Sequence, residues 1–314
     1  MQKNDYKKII MGIDHGFKNM KTQQCIFPTA LTRLENMPDD PTGILQFNGK
    51  YYRESGEPLS YVDNTDKTKT DDFYILTLIA IAKELNKRGL EGANIILASG
   101  LPQRWYDRQK PGFEKYLGRY RELNFYYEGK LFHVWIDDVR VYTQGYAAFM
   151  SSDRAFEYMN RECCLVDIGG GTVDIIRIVN GSVMSGMEGS KIDTKASLWL
   201  INQVMEQVEA ELCTTIPEST IIRYMQTGSK DTDPANVYER IMQNIFREYS
   251  DMIFSNLKKN RINTELIPVF FIGGGSSVVK NFGSYSDNGD INFITDIHAN
   301  AKGYEYIAEI FSEG

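Results

Sequence analysis

The sequence predicts an α/β protein made of two related domains. Three observations carry this. The chain has 314 residues, above the size at which one hydrophobic core usually keeps growing. Short apolar runs alternate with longer segments of helical spacing. Each half also opens in the same way, with a strand, a glycine turn that carries an aspartate, and a second strand. The aspartates are Asp14 and Asp167, about half a chain apart, and such self-similarity suggests duplicated domains facing each other. The expected division is residues 1–160, with 298–314 returning to that domain, and residues 161–297.

Taken in order, residues 8–13 form an apolar strand that ends at Asp14-His15-Gly16. A second strand, residues 18–27, follows at once, and the short glycine-containing gap predicts a hairpin. Residues 36–70 are rich in Asp, Pro, Gly, Lys and Thr, and read as exposed loops around a short strand pair at 44–47 and 50–53. Residues 72–85 are apolar nearly all round, which marks a buried helix. A buried strand at 94–98 breaks at Ser99-Gly100-Leu101-Pro102, and a charged helix spans about 104–121. Strands at 123–127 and 131–136 flank Glu128-Gly129-Lys130. Another strand covers 139–142, and a helix opens near Gln144.

The pattern then restarts. Residues 163–168 form a strand, Gly169-Gly170-Gly171-Thr172 a turn, and 173–179 a strand. Asn180-Gly181 is a strong hairpin signal before a strand at 182–187. Helices follow near 194–212, 217–225 and 235–259. A strand at 267–272 runs into Gly273-Gly274-Gly275-Ser276. A short helix, a strand at 291–294 and a helix at 299–311 complete the order.

Composition narrows the function. Apolar residues at 42% and charged residues at 25% fit an ordinary soluble globular protein. A net charge of −7 argues against a general DNA-coating surface, so no direct nucleic-acid contact is expected. The four cysteines have no CxxC spacing. Cys163 and Cys164 adjoin inside an apolar run and read as small buried residues, not as a disulfide or zinc site. Three scattered histidines do not complete a metal cage. The start, MQKNDYKKII, shows no signal peptide, and no apolar stretch approaches ~20 residues. A cytoplasmic protein without membrane contact is expected.

The chemistry lies in the three glycine turns. A tight turn presents consecutive backbone N–H groups that make a nest for phosphate oxygens, and glycine permits close approach and positive φ. Asp14 and Asp167 each end an apolar strand at such a turn. Two carboxylates beside a triphosphate require a cation, so Mg²⁺ is implied, held partly through water. The third turn leaves a buried strand and opens a helix, whose N-terminus suits polar groups of a nucleotide. GGGTVD is not a dinucleotide fingerprint, because Asp174 stands where glycine is needed. It is not a P-loop either, since Gly-Lys-Ser/Thr is absent.

The ordered set carries a resemblance. IIMGIDHGFKNMK resembles the phosphate-1 loop of the actin, heat-shock chaperone and sugar-kinase superfamily. LVDIGGGTVDI resembles its phosphate-2 loop, and VFFIGGGSS its adenosine loop. The plasmid-segregating ParM-like actins look most similar, through GEPLSYVDNTDKTKTDDFYILTLIAIAKEL, the ASGLP turn and the ending ANAKGYEYIAE. The resemblance implies the actin-like ATPase fold, with a nucleotide cleft between two related α/β domains. It implies that Asp14 and Asp167 position Mg²⁺ and its waters, Asp167 with a catalytic role. Gly16 and Gly169, Gly170, Gly171 and Thr172 would cradle phosphates, and Asn19 counts with them. Lys21 would reach the phosphates, and Gly273, Gly274 and Gly275 would border the nucleoside.

Gln144 resembles the residue that orients the attacking water; a glutamine is no strong base, so it would orient and not remove a proton. Asp174 fits the family pattern, or only satisfies groups within its hairpin. His15, Phe17 and Lys18 depart from the smaller residues common in the first loop, and His15 reads as a turn residue, not a catalyst. Lys258, Lys259 and Arg261 most simply close a helix C-terminus.

The implied function is an ATP- or GTP-driven polymerising ATPase. It would form filaments with itself and segregate plasmid or mobile-element DNA through a DNA-binding adaptor. Two alternatives stand beside it: a small-molecule kinase of the same superfold, and a non-hydrolysing actin-like cytoskeletal protein.

Overall fold

A computed structural model describes residues 6–58, 66–158, 160–184, 190–229, 235–286 and 288–312. The chain divides into two compact units, Met1–Ser151 with His298–Gly314, and Ser152–Ile297. The first unit begins with β1 (Lys8–His15), β2 (Asn19–Lys21), β3 (Ile26–Pro28), β4 (Ala30–Leu34), β5 (Ile44–Phe47) and β6 (Lys50–Pro58). It continues through α1 (Asp72–Lys87), β7 (Gly92–Leu101), α2 (Gln103–Leu117), β8 (Glu122–Tyr127), β9 (Lys130–Thr143) and α3 (Tyr146–Met150). The second unit contains α4 (Ala155–Tyr158), β10 (Glu162–Ile168), β11 (Val173–Val179), β12 (Ser182–Val183) and β13 (Ser190–Asp193). Then come α5 (Ser197–Leu212), α6 (Glu218–Thr227), α7 (Val237–Lys259), β14 (Val269–Ile272), α8 (Ser276–Phe282) and β15 (Ile291–Ile294). The last helix, α9 (Ala299–Ile310), belongs to the first unit.

In the first unit the described strands form one sheet, ordered β3-β2-β1-β7-β9-β8-β5-β6-β4. Its centre is parallel, with β7 between β1 and β9. All of β7 is buried, as a parallel strand covered on both faces must be. Ile9, Met11, Ile13, Ile95 and Leu97 join the core built on α1 and α2. Ala98 packs in a second cluster with Ala147, Tyr304 and Ile307, against which Ile10 also lies. Alternation along each strand thus feeds two layers.

Helix α9 reaches its bed through small residues. A Cβ at Gly12 would sit 2.0 Å from the Ala301 carbonyl oxygen, and one at Gly303 would sit 2.1 Å from that of Ala147. The same bed holds a buried ion-pair network. Glu305 accepts the Gly12 N–H at 2.9 Å and pairs with Arg88 at 2.8 Å, while Arg88 also binds Glu84 at 2.9 Å. Burial raises the Glu84 carboxyl, but bonds from Thr22, Arg88 and Gln24 outweigh it and hold the group below its ordinary value.

In the second unit the described strands run β12-β11-β10-β14-β15, with β13 also on β11. Val166, Ile168 and Phe271 pack with Val204 of α5, Ile221 of α6, Phe246 of α7 and Val278 of α8. Cys163 and Cys164 are buried in β10. Burial pushes the Cys163 thiol up to about 12 and that of Cys164 higher, so both behave as small core residues.

Several expected bounds change. Residues 18–27 are not one strand. Thr22 and Cys25 close a turn between β2 and β3, the Cys25 N–H binding Thr22 Oγ1 at 2.9 Å while Thr22 donates to Glu84 at 2.5 Å; this side-chain turn displaces the ladder. Residues 131–136 and 139–142 are one strand, β9, because a bulge absorbs Asp137 where Ile95 faces Ile136 and Ile96 faces Asp138. The buried strand at 94–98 extends through Leu101. The helix expected to reach 121 stops at Leu117, with Gly118 as its cap; Arg119 turns away to pair with Asp71 at 2.7 Å and lies 3.8 Å from the Tyr74 ring centre. The helix near Gln144 is the short α3. β4 and β13 were not foreseen; they are strands because they pair with β6 and β11. Parts of two quoted segments, residues 59–65 and 185–187, lie outside the described residues.

Candidate functional site

The first turn follows β1. Asp14 is buried at the strand's end and sits in register opposite Lys21 of β2. Its carboxylate uses both oxygens: Lys21 Nζ binds Oδ2 at 3.1 Å, and Gln144 Nε2 donates to Oδ1 at 3.1 Å. The structure therefore brings together Asp14, Lys21 and Gln144, and holds the carboxylate in one orientation. Gly16 is required sterically, since a Cβ there would lie 2.5 Å from the Asn19 carbonyl oxygen. The Gly16 carbonyl accepts Thr29 Oγ1 at 2.7 Å, and the Lys18 carbonyl accepts the Thr29 N–H at 3.0 Å. Asn19 is half-buried at the start of β2.

His15 is not a turn residue. It is the last residue of β1 and is buried. Its ring nitrogens lie 2.8 Å from Ser99 Oγ and 2.8 Å from Thr77 Oγ1, so one hydroxyl can donate while the other accepts. Burial, and then the Lys67 charge, push its pKa down to about 3 against the pull of Asp14 and the Ile13 carbonyl. A neutral imidazole therefore packs beneath the turn, edge-on to Phe113 at 5.4 Å. Lys67 is a residue that sequence reading missed. It is buried, donates to the His15 carbonyl, and lies 5.1 Å from the Phe17 ring centre. Its run, DKTKTD, reads as an exposed loop, and the only nearby signal is the Phe73-Tyr74 pair at the start of α1.

The second and third turns lie together in the second unit, because β10 and β14 are parallel neighbours with Asp167 opposite Ile272. Gly169 donates to the Thr172 carbonyl at 2.9 Å. The carbonyls of Gly169 and Gly170 accept the N–H groups of Ser197 and Leu198 at 3.2 and 3.0 Å. The turn is thereby bound to the start of α5. Gly171 lies in this turn, half-buried. Asp174 faces Asp167 across the β10–β11 pair and accepts Thr172 Oγ1 at 3.0 Å. Gly273 has φ +85°, and a Cβ there would be 2.6 Å from Asp167 Oδ1. A Cβ at Gly275 would meet Ile168 Cγ2 at 2.3 Å, whereas Gly274 faces open space. Two of these glycines thus let the third turn close onto the second, and Gly274 leaves its backbone accessible.

Among the described residues no three His, Cys, Asp or Glu side chains gather as a ready-made metal site. Asp14 in the first unit and Asp167 in the second are each a buried carboxylate at a glycine turn, and a carboxylate is the hard oxygen donor that suits Mg²⁺ when phosphates and waters supply the other ligands. Each carboxylate fits an ion that takes most of its ligands from phosphate and water better than one needing a full protein cage.

No protein-family model matches the chain, and no curated protein matches its sequence. Solved structures do match. The apo ParM protein of psk41 gives a TM-score of 0.72 at 17% identity, over 98% of this chain and 98% of that one. An archaeal actin homologue gives 0.78 at 17%, over 96% and 99%; its complex with ADP gives 0.74 at 18%, over 96% and 99%. A 15-stranded ParM filament from Clostridium botulinum gives 0.70 at 18%, over 97% and 100%. The chain has the actin-like ATPase fold.

Proposed function

We propose that this chain of actin-like fold binds a nucleoside triphosphate with Mg²⁺, hydrolyses it, and assembles with its own copies into filaments. In the cytoplasm these would move plasmid or mobile-element DNA through an adaptor protein. The observation that carries the reading is the Asp14–Lys21–Gln144 cluster beside the first glycine turn. A carboxylate, a cation and an amide are the groups needed there to hold a metal, meet phosphate charge and orient a water.

Asp14 and Asp167 would hold Mg²⁺, which supplies charge neutralisation at the phosphates. Lys21, now 3.1 Å from Asp14, would bind a phosphate oxygen as a point charge. The backbone of Gly16, of Gly169 through Thr172, and of Gly273 through Gly275 would line the nucleotide, with Asn19 beside the first turn. Gln144 would orient the attacking water through its amide. Self-assembly is supported by the filament form of a similar structure, and nucleotide binding by the ADP complex of another.

Assembly follows nucleotide state by linkage: if nucleotide favours the conformation that packs, packing favours nucleotide equally. A critical concentration of about 1 μM corresponds to roughly −8 kcal/mol per added subunit, and a coupling of ~1–3 kcal/mol shifts it about 5–150-fold. Sedimentation, light scattering and phosphate release in ATP–Mg²⁺ and GTP–Mg²⁺ test this together. Scattering should rise on adding one nucleotide and fall as phosphate accumulates. A chain that stays monomeric across the titration, and transfers phosphate to a small acceptor, is a kinase instead. One that assembles without releasing phosphate is a non-hydrolysing filament protein.

A further inference from the structure

The segment that carries Gln144 is bent into an uncommon shape. Tyr146 N–H donates to the Gln144 carbonyl at 2.7 Å, across Gly145 with φ 69° and ψ −52°. This is a γ-turn of the positive-φ kind, which is rare and strained, and which glycine tolerates best. Its neighbours fix the turn at each end. The Gln144 N–H binds the Leu101 carbonyl at 2.9 Å, and the Gly145 carbonyl accepts the Phe149 N–H at 2.9 Å to open α3. The remaining central group is the Gly145 N–H, and it donates to Asn300 Oδ1 at 2.8 Å.

Asn300 lies in the first turn of α9, far along the chain from Gln144. It reaches Gly145 because α9 sits against α3 at backbone distance, through Gly303 at Ala147 one turn further on. We propose that Asn300 is a positioning residue for Gln144. By holding the Gly145 turn it keeps the Gln144 amide directed at Asp14, where the two meet at 3.1 Å. This rests on the water-orienting role proposed above for Gln144. Asn300 touches neither nucleotide nor water in this account; it acts through the turn. Removing the acceptor frees a strained turn to relax, and a displacement of about 1 Å at a positioning group costs up to about 100-fold in rate.

The test uses the full chain and ATP–Mg²⁺, with phosphate release giving kcat, a fluorescent nucleotide titration giving Kd, and thermal unfolding recorded for each variant. Asn300→Ala should lower kcat by about 10- to 100-fold and leave Kd nearly unchanged. Asn300→Leu keeps the branched outline without the acceptor and should do the same, which covers the case of an unfolded alanine variant. Asn300→Asp retains an oxygen for the Gly145 N–H and should keep most of the rate. In a Gln144→Ala background, Asn300→Ala should cause no further loss. Two results overturn the inference while leaving Gln144 its role. One is a normal kcat for both Asn300→Ala and Asn300→Leu when Gln144→Ala is slow. The other is a full Asn300→Ala loss added on top of Gln144→Ala. A normal kcat for Gln144→Ala itself sinks the role of Gln144, and the inference with it.

Discussion

Replacing Gly303 by alanine separates helix propensity from tertiary packing. Propensity alone favours alanine over glycine inside a helix by about 0.8–1.0 kcal/mol. The structure predicts the opposite sign. A Cβ at this position would lie 2.1 Å from the carbonyl oxygen, 2.3 Å from the carbonyl carbon of Ala147, and 2.7 Å from the nitrogen of Ala148. Carbon and oxygen prefer to stay beyond about 3.3 Å, so the helices must part by roughly 1 Å. All three obstacles are backbone and cannot rotate aside. Retreat of α9 would also stretch the 2.9 Å bond from Gly12 to Glu305. Overpacking of this kind costs about 1–3 kcal/mol, occasionally more, and the upper end applies where backbone meets backbone. After the propensity gain, a net loss of about 2 kcal/mol is expected. That corresponds to a fall in Tm of roughly 4–8 °C for a body of this size. Gly112 of α2 is the control, because it is exposed and a Cβ there meets nothing within 4 Å. Gly112→Ala should stabilise by up to ~1 kcal/mol. Urea and thermal unfolding followed by circular dichroism would read both. If Gly303→Ala gains stability as Gly112→Ala does, α9 and α3 do not meet at backbone distance and the packing account is wrong.

Asp167→Ala should abolish phosphate release while leaving the chain folded, because the change removes a carboxylate near the end of β10 and no apolar core side chain; normal turnover in a folded variant would remove Asp167 from the site. Gln144→Ala should slow turnover by the equivalent of ~2.7–4 kcal/mol, by analogy with loss of an oxyanion donor, at nearly constant nucleotide affinity. An equal loss in affinity would make it a binding residue. For His15, with its pKa lowered to about 3, the unfolded chain takes up a proton below about 6.5 and the folded chain does not. Stability is therefore full above that pH and lost on acidification, by about 2 kcal/mol at pH 5. Urea titrations of the nucleotide-free protein at pH 7.5 and 5 should show this difference. The variant His15→Gln should lose most of it, and an unchanged difference would assign it to other groups.

Chain-local features were legible in the sequence. The glycine turns stand where expected, and Lys21 faces Asp14 because a hairpin of that length sets the register. The start of α7 was misplaced by only two residues, since Asn236 caps it by accepting the Tyr238 N–H at 2.9 Å. The 18–27 strand was misread because Thr22 prefers its own turn and Glu84, a partner in a helix far along the chain. Lys67 looked solvated in its polar run and is buried against Phe17 and Phe73. Gln144 is marked by resemblance alone, as nothing in its spacing points to Asp14.

The sequence by itself determined where the backbone turns and which residues could line it. Missing Cβ atoms, positive φ and hairpin length act within a few residues and leave their mark in the local text. The tertiary structure alone decided that His15 is a neutral buried support, that Glu305 reaches Gly12, and that Asn300 holds the turn beside Gln144. The first depends on α1, α2 and β7 closing around the imidazole, and the other two on how closely α9 settles onto β1 and α3. That distance is set by the absence of side chains at Gly12 and Gly303, and becomes visible only when segments from opposite ends of the chain lie side by side.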